Sequence, residues 1–273
     1  MLKKSIVAVS MLAALAVPAP GIAAAAPTGS SDVVSSGSSD ALVTGSSELG
    51  SSNAGSSTGS LGSTGFGAPR TLNDCRKVGL VGASLSAGSW RGGGGSMQRL
   101  KDNLRKTGKP FLFSAASGRS VTQPGNYTVG YRGNAIQVIR WMRGQGVNCY
   151  IVQIGTNDAA ATKGDATQLR SRIDQVMNAV GSRSRVDWIT PRTIVQSSSP
   201  RYMNHAFLDK YMAVMRRELI IADVQYANLD INHWDRAFTF YPGFWARDGV
   251  HLRLGRTVFA DYVVRSLYIA GTR

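Results

Sequence analysis

The chain has 273 residues, of which 43% are hydrophobic and 17% charged, and it carries a formal net charge of +15 at pH 7. Three histidines without clustered partner ligands exclude a histidine-built metal centre. The basic residues are scattered, with no dense run and no nucleic-acid-binding motif, so nucleic acid is not an expected partner.

The first 25 residues read as a processing segment. Lys3-Lys4 forms a charged head, residues 5–17 an apolar stretch, and Ala23-Ala24-Ala25-Ala26 a small-residue cleavage site, with the cut expected after Ala25. The apolar stretch is too short to span a bilayer comfortably. No cysteine follows it to take a lipid, and no twin arginine precedes it. The expectation is export by the general secretory route, with no transmembrane segment in the mature chain. Residues 26–69 are Ser, Gly, Thr and Ala with hardly an aromatic, a composition that cannot bury enough apolar surface to offset its ordering entropy, and read as a disordered linker.

Residues 70–273 are then one domain with a full core. Setting aside Lys3 and Lys4 with the leader, and Asp32, Asp40 and Glu48 with the linker, leaves 29 basic and 13 acidic residues, a net +16. A field of that sign favours anionic surfaces such as acidic wall polymers or lipid heads. For an exported chain it reads as electrostatic association with the cell envelope.

Val78-Gly79-Leu80-Val81 is a short apolar run that predicts the first buried strand. Helices are expected over 96–106, 134–143, 167–180, 206–219 and 256–268, each with apolar residues at helical spacing. Further strands are expected over 110–115, 149–154 and 185–190, with a fifth inside 220–229. Strands alternating with helices imply a mainly parallel five-stranded sheet covered on both faces. Cys75 and Cys149 each stand just before an expected strand. If those strands are parallel neighbours the two cysteines meet at one sheet edge, and an oxidising compartment favours a disulfide there over a nucleophilic thiol.

Ligands of open α/β sheets bind beyond the carboxyl ends of the strands, so the residues at those ends carry the chemistry. After the first strand comes Gly82-Ala83-Ser84-Leu85, where small residues let a serine hydroxyl project from the rim. After the second comes Ser117-Gly118-Arg119-Ser120, whose glycine lets backbone N–H groups approach a ligand. After the third comes Gly155-Thr156-Asn157-Asp158, an amide donor on a tight turn. Near the end stands Asp248-Gly249-Val250-His251, with the carboxylate spaced to hold Nδ1 of the histidine while Nε2 points away. Of the other histidines, His205 lies on an expected helix and His233 in a polar loop. Trp90-Arg91 and the glycines Gly92 to Gly95 suggest a mobile loop beside the site.

These four groups, in this order, resemble the motif blocks of the SGNH hydrolases, also called GDSL-type esterases, over essentially all of residues 70–273. The resemblance implies a flavodoxin-like three-layer α/β/α sandwich. It implies Ser84 as nucleophile and His251 as general base, oriented by Asp248. The N–H groups of Ser84 and Gly118 and the side-chain amide of Asn157 would form the oxyanion hole, with no metal or cofactor. One departure stands out: Ala83 occupies the place of the family's usual aspartate, which leaves the hydrogen bonding of the nucleophile turn open. The α/β-hydrolase pattern fits less well, since Gly-x-Ser-x-Gly would need glycine at Ser86. The expected function is hydrolysis of O-acyl esters of an envelope glycan or lipid. Acyl transfer to a sugar hydroxyl, and a catalytically idle envelope-binding module, remain the alternatives.

Overall fold

The computed structural model describes residues 68–88, 95–193, 202–234, 242–246 and 248–268. The expected leader, most of the expected linker and the Trp90 to Gly94 stretch lie outside the described residues. Six strands form one sheet: β1 (Val78–Gly82), β2 (Phe111–Ser117), β3 (Asn126–Val129), β4 (Cys149–Gln153), β5 (Arg185–Ile189) and β6 (Leu229–Asn232). Their order is β3-β2-β1-β4-β5-β6, and only the β2–β3 pair is antiparallel. Without β3 the sheet has the doubly wound flavodoxin-like order, whose strand sequence reverses beside the first strand. That reversal opens a crevice at the carboxyl ends of β1 and β4.

β1 and β4 are buried along their whole length, as parallel strands covered on both faces must be. Their side chains alternate between two cores. Val81, Tyr150, Val152, Val186 and Trp188 pack against helices α3 (Ala135–Gly144), α5 (Ala166–Val180) and α6 (Tyr202–Gln225). Val78, Leu80, Ile151 and Ile189 face the other way, onto α1 (Ser84–Ala87), α2 (Gly95–Lys106) and α7 (Arg256–Arg265). A six-residue helix, α4 (Thr156–Ala161), follows β4 and adds Ala159 to the first core. The three-layer α/β/α sandwich expected from the sequence is the observed architecture. No helix among the described residues is long and apolar enough to cross a membrane.

Two expectations need correction. The sheet has six strands, because Asn126–Val129 adds an edge strand between Gly125 and Gly130. The segment Asn126-Tyr127-Thr128-Val129 is too short to give a clear periodic signal. The fifth expected strand, within 220–229, is mostly helix: α6 runs on to Gln225 and β6 begins only at Leu229. Ile220, Ile221 and Val224 are exposed on that helix. Their β-branched character imitates a strand, whereas the helix period continues from the buried Met212, Met215 and Leu219 to Ala222.

The disulfide between Cys75 and Cys149 is formed, with Cα atoms 5.7 Å apart. It sits where expected, since Val78 pairs with Cys149 in the parallel β1–β4 ladder. Nearby, Asn148 Oδ1 accepts hydrogen bonds from the backbone N–H groups of Arg76 and Lys77 at 2.8 and 3.2 Å, fixing the entry to β1. Closing a loop across a separation of 74 residues constrains the unfolded chain by about 4 kcal/mol on the chain-entropy estimate. Thiol titration of the denatured, unreduced protein should therefore find no free thiol. Replacing both cysteines by serine should lower the melting temperature by several degrees, as read by circular dichroism, without changing the far-ultraviolet spectrum.

Candidate active site

The nucleophile candidate is placed by a sharp exit from β1. The chain leaves Gly82 through Ala83, which is extended (φ −99°, ψ −154°), and enters α1 at Ser84. A side chain on Gly82 would put its Cβ 2.4 Å from Cβ of Ser86, so only glycine permits this turn. Ser84 stands at the first position of α1, where a backbone N–H has no intrahelical acceptor. Ser84 is half-buried.

With alanine at position 83, the turn is held from the neighbouring strand. Gln153, the last residue of β4, accepts through Oε1 from Ala83 N–H at 3.1 Å and from Ser86 Oγ at 2.9 Å. Its backbone carbonyl also accepts from Ala83 N–H, at 2.9 Å. All three residues are buried. The methyl of Ala83 packs into the apolar core instead of reaching for a polar partner. Gln153 escaped the sequence reading, although one polar residue ending an apolar strand was the available signal.

Gly118 follows β2 with φ +77°, a left-handed conformation that glycine adopts without strain, and it is exposed. The segment around it is tied on several sides. Asn157 Nδ2 donates to the carbonyl of Arg119 at 2.9 Å. Buried Asp158 accepts from Val121 N–H at 3.0 Å and from Arg172 Nη1 at 2.8 Å through the same oxygen. Burial pushes the Asp158 carboxyl above its ordinary value, against the opposing pull of Val121 N–H and Arg172. Ser120 Oγ accepts from Gln123 N–H at 3.0 Å.

The candidate acid and base, Asp248 and His251, share one turn. His251 Nδ1 lies 2.7 Å from Asp248 Oδ2, while Asp248 Oδ1 accepts from the backbone N–H groups of Val250 and His251 at 3.0 and 2.9 Å. An antiparallel bridge between Trp245 and Leu252 closes the loop that carries them. Partial burial pushes the Asp248 carboxyl up. The hydrogen bonds from the His251 ring, His251 N–H and Val250 N–H more than offset that, and bring it down to about 2. Asp248 is therefore ionised at neutral pH and acts only as an acceptor. In the neutral tautomer that donates to Asp248, Nδ1 carries the hydrogen and Nε2 is the acceptor nitrogen of the ring.

Ser84 and His251 line one pocket, together with Leu85, Gly88, Ser96, Leu252 and Arg256. Gly118 and Asn157 are not part of that wall. They stand on the same rim through sheet register, since Gly82 pairs with Ala115 on one side and Gln153 on the other. Arg256 and Ser96 escaped the sequence reading as pocket residues, because both sit where a helix pattern reads as core or solvent. The side chain of His205 lies outside the described residues, and His233 follows β6 in an irregular segment. No group of three or more metal-ligating side chains occurs among the described residues.

No family model matches the chain, and no curated protein matches it either. Solved structures do. The chain is similar to TesA, with 16% identity, a TM-score of 0.50 and coverage of 70% of this chain and 97% of that one. It is equally similar to the inhibitor-bound aryl esterase of M. smegmatis, with 12% identity, a TM-score of 0.50 and coverage of 70% and 99%. A GDSL-like lipase from Bacteroides thetaiotaomicron aligns at 14% identity and a TM-score of 0.49 over 70% and 86%.

The Asp248–His251 contact makes a pH prediction. Asp248 has a folded value of about 2, below the roughly 3.9 of an unfolded aspartate. A depressed carboxyl contributes stability above the unfolded value and loses it as pH falls through the folded one. The wild type should thus hold a stability advantage over Asp248→Asn at about pH 5 that shrinks as pH falls towards about 2. Denaturant unfolding across that range reads it, and an advantage that does not vary with pH contradicts the contact. The sheet order and crevice, with the matched structures, establish that the chain has the fold of the SGNH hydrolases.

Proposed function

We propose that the chain is an exported serine esterase that hydrolyses O-acyl esters through an acyl-enzyme. The observation that carries this reading is the ionised Asp248 held against His251 Nδ1, with His251 and Ser84 in one pocket. The aryl esterase among the structures of the same fold agrees with it.

Ser84 Oγ attacks the ester carbonyl carbon as its proton passes to His251 Nε2. The carbonyl oxygen becomes an oxyanion that receives hydrogen bonds from Ser84 N–H, Gly118 N–H and Asn157 Nδ2. Asn157 has two amide hydrogens, so one can serve the oxyanion while the other holds the Arg119 carbonyl. Collapse expels the alcohol, which takes the proton from Nε2. Water, deprotonated by the same nitrogen, then attacks the acyl-enzyme, and the carboxylic acid leaves with Ser84 reprotonated. Asp248 stabilises the imidazolium in both halves without itself taking a proton. No step needs a metal or cofactor.

The domain arrangement belongs to the same reading: a leader over residues 1–25, a linker over 26–69 and the hydrolase domain over 70–273. The +16 charge of that domain draws it to anionic envelope polymers, so the ester is proposed to sit on an envelope glycan or lipid.

Ser84→Ala should abolish both cleavage of p-nitrophenyl esters and labelling by an organophosphonate, with the fold intact. His251→Ala should be nearly as damaging. Asn157→Ala should lower kcat by about a hundredfold to a thousandfold, with a smaller effect on KM. If the wild type takes no probe at Ser84 and cleaves nothing on a broad ester panel, the chain is a binding module that uses the fold alone. Envelope association is read separately. Sedimentation with isolated envelopes should fall steeply as salt rises past about 0.1 M, where the screening length is about 10 Å, and binding that is flat in salt argues against the electrostatic role.

A further inference from the structure

Arg119 is fully buried, and among the described residues its guanidinium is met by backbone carbonyls. Nε donates to the carbonyl of Gly133 at 3.0 Å, Nη1 to Ser114 at 2.8 Å and to Gly82 at 3.3 Å, and Nη2 to Tyr131 at 3.2 Å. Burial pushes it down to about 10, still charged at neutral pH. Desolvating a cation is expensive unless its hydrogens are satisfied. Here four backbone dipoles from three separate chain segments do that work.

One of those segments leads into the proposed oxyanion hole, and the backbone of Arg119 adjoins the rest of it. The Gly82 carbonyl lies at the end of β1, with only Ala83 between it and Ser84. Gly118 is bonded covalently to Arg119. Asn157 is hydrogen-bonded to the Arg119 backbone carbonyl. The side chain of one residue thus grips the strand end that carries the first donor, while its backbone carries or holds the other two. We propose, on the basis of the esterase reading, that Arg119 is a positioning residue that sets the mutual spacing of the three oxyanion donors. A donor misplaced by about 1 Å loses on the order of a hundredfold in rate. Lysine offers three donors around a single nitrogen and cannot span four carbonyls as the planar guanidinium does.

The test uses the exported protein with Arg119→Lys, Arg119→Met and each combined with Asn157→Ala. On a short-chain p-nitrophenyl ester, both single variants should lose about tenfold to a hundredfold in kcat while KM stays within about threefold. Combined with Asn157→Ala, the loss should fall well short of the product of the two single losses, because both act through one hole. Hydrogen exchange by mass spectrometry should show faster exchange in 83–87 and 118–123 of Arg119→Met, with α5 and β5 unchanged. Unchanged kcat in a folded variant, fully multiplicative losses, or collapse of both variants to unfolded chains would each overturn the proposal. A wild type that cleaves no ester removes the esterase reading instead. The exchange pattern then decides alone whether Arg119 ties the two segments together, and uniform loosening across the domain rejects it.

Discussion

The parallel pairing of β1 between β2 and β4 is the constraint on which the rest depends. It brings Gly82, Ala115 and Gln153 to one level of the sheet. Three loops therefore leave the same rim, carrying Ser84, Gly118 and Asn157. No hydrogen bond among those loops could place them so closely if the strands slipped, because a one-residue shift turns every side chain to the opposite face. The two cores make such a shift costly, since it would turn Val78, Leu80 and Val81 away from the layers they fill.

Above that frame, the site is held by hydrogen bonds from buried or partly buried polar side chains. Gln153 serves the nucleophile turn, Asp158 the segment after Gly118, and Asp248 the histidine. Gln153 and Asp158 each use a side chain from one element to fix the backbone of another, while Asp248 acts within its own turn. Such contacts contribute about 0.5–1.5 kcal/mol apiece to stability, but leaving one partner unsatisfied costs more. Their role is geometric. Ala83 illustrates the point: the side chain that could have bonded the turn from within is absent, and Gln153 bonds it from the neighbouring strand.

The sequence was legible where the physics is local or strongly periodic. The amphipathic helix over 166–180 declares itself through Leu169, Ile173, Val176, Met177 and Val180, all of which are buried. Asp248 and His251 were legible because three residues of chain hold them together. The strand placed inside 220–229 failed because three exposed apolar residues outweighed a continuing helix period. β3 failed because its pairing with β2 comes from tertiary contact. Gln153 holds Ser86 across 67 positions and Arg119 holds Gly82 across 37, and no spacing rule reaches that far.

The position of the disulfide has a consequence for integrity. Cys75 and Cys149 enclose β1, β2, β3 and the helices between, including Ser84, Gly118 and the 89–94 stretch, within one covalent ring. A protease cutting anywhere in that ring separates no fragment, because both sides of the cut stay joined through the sulfurs. A single cut in the part that carries Ser84 would thus be invisible to size measured without reductant, and would show as two pieces only once the bridge is opened.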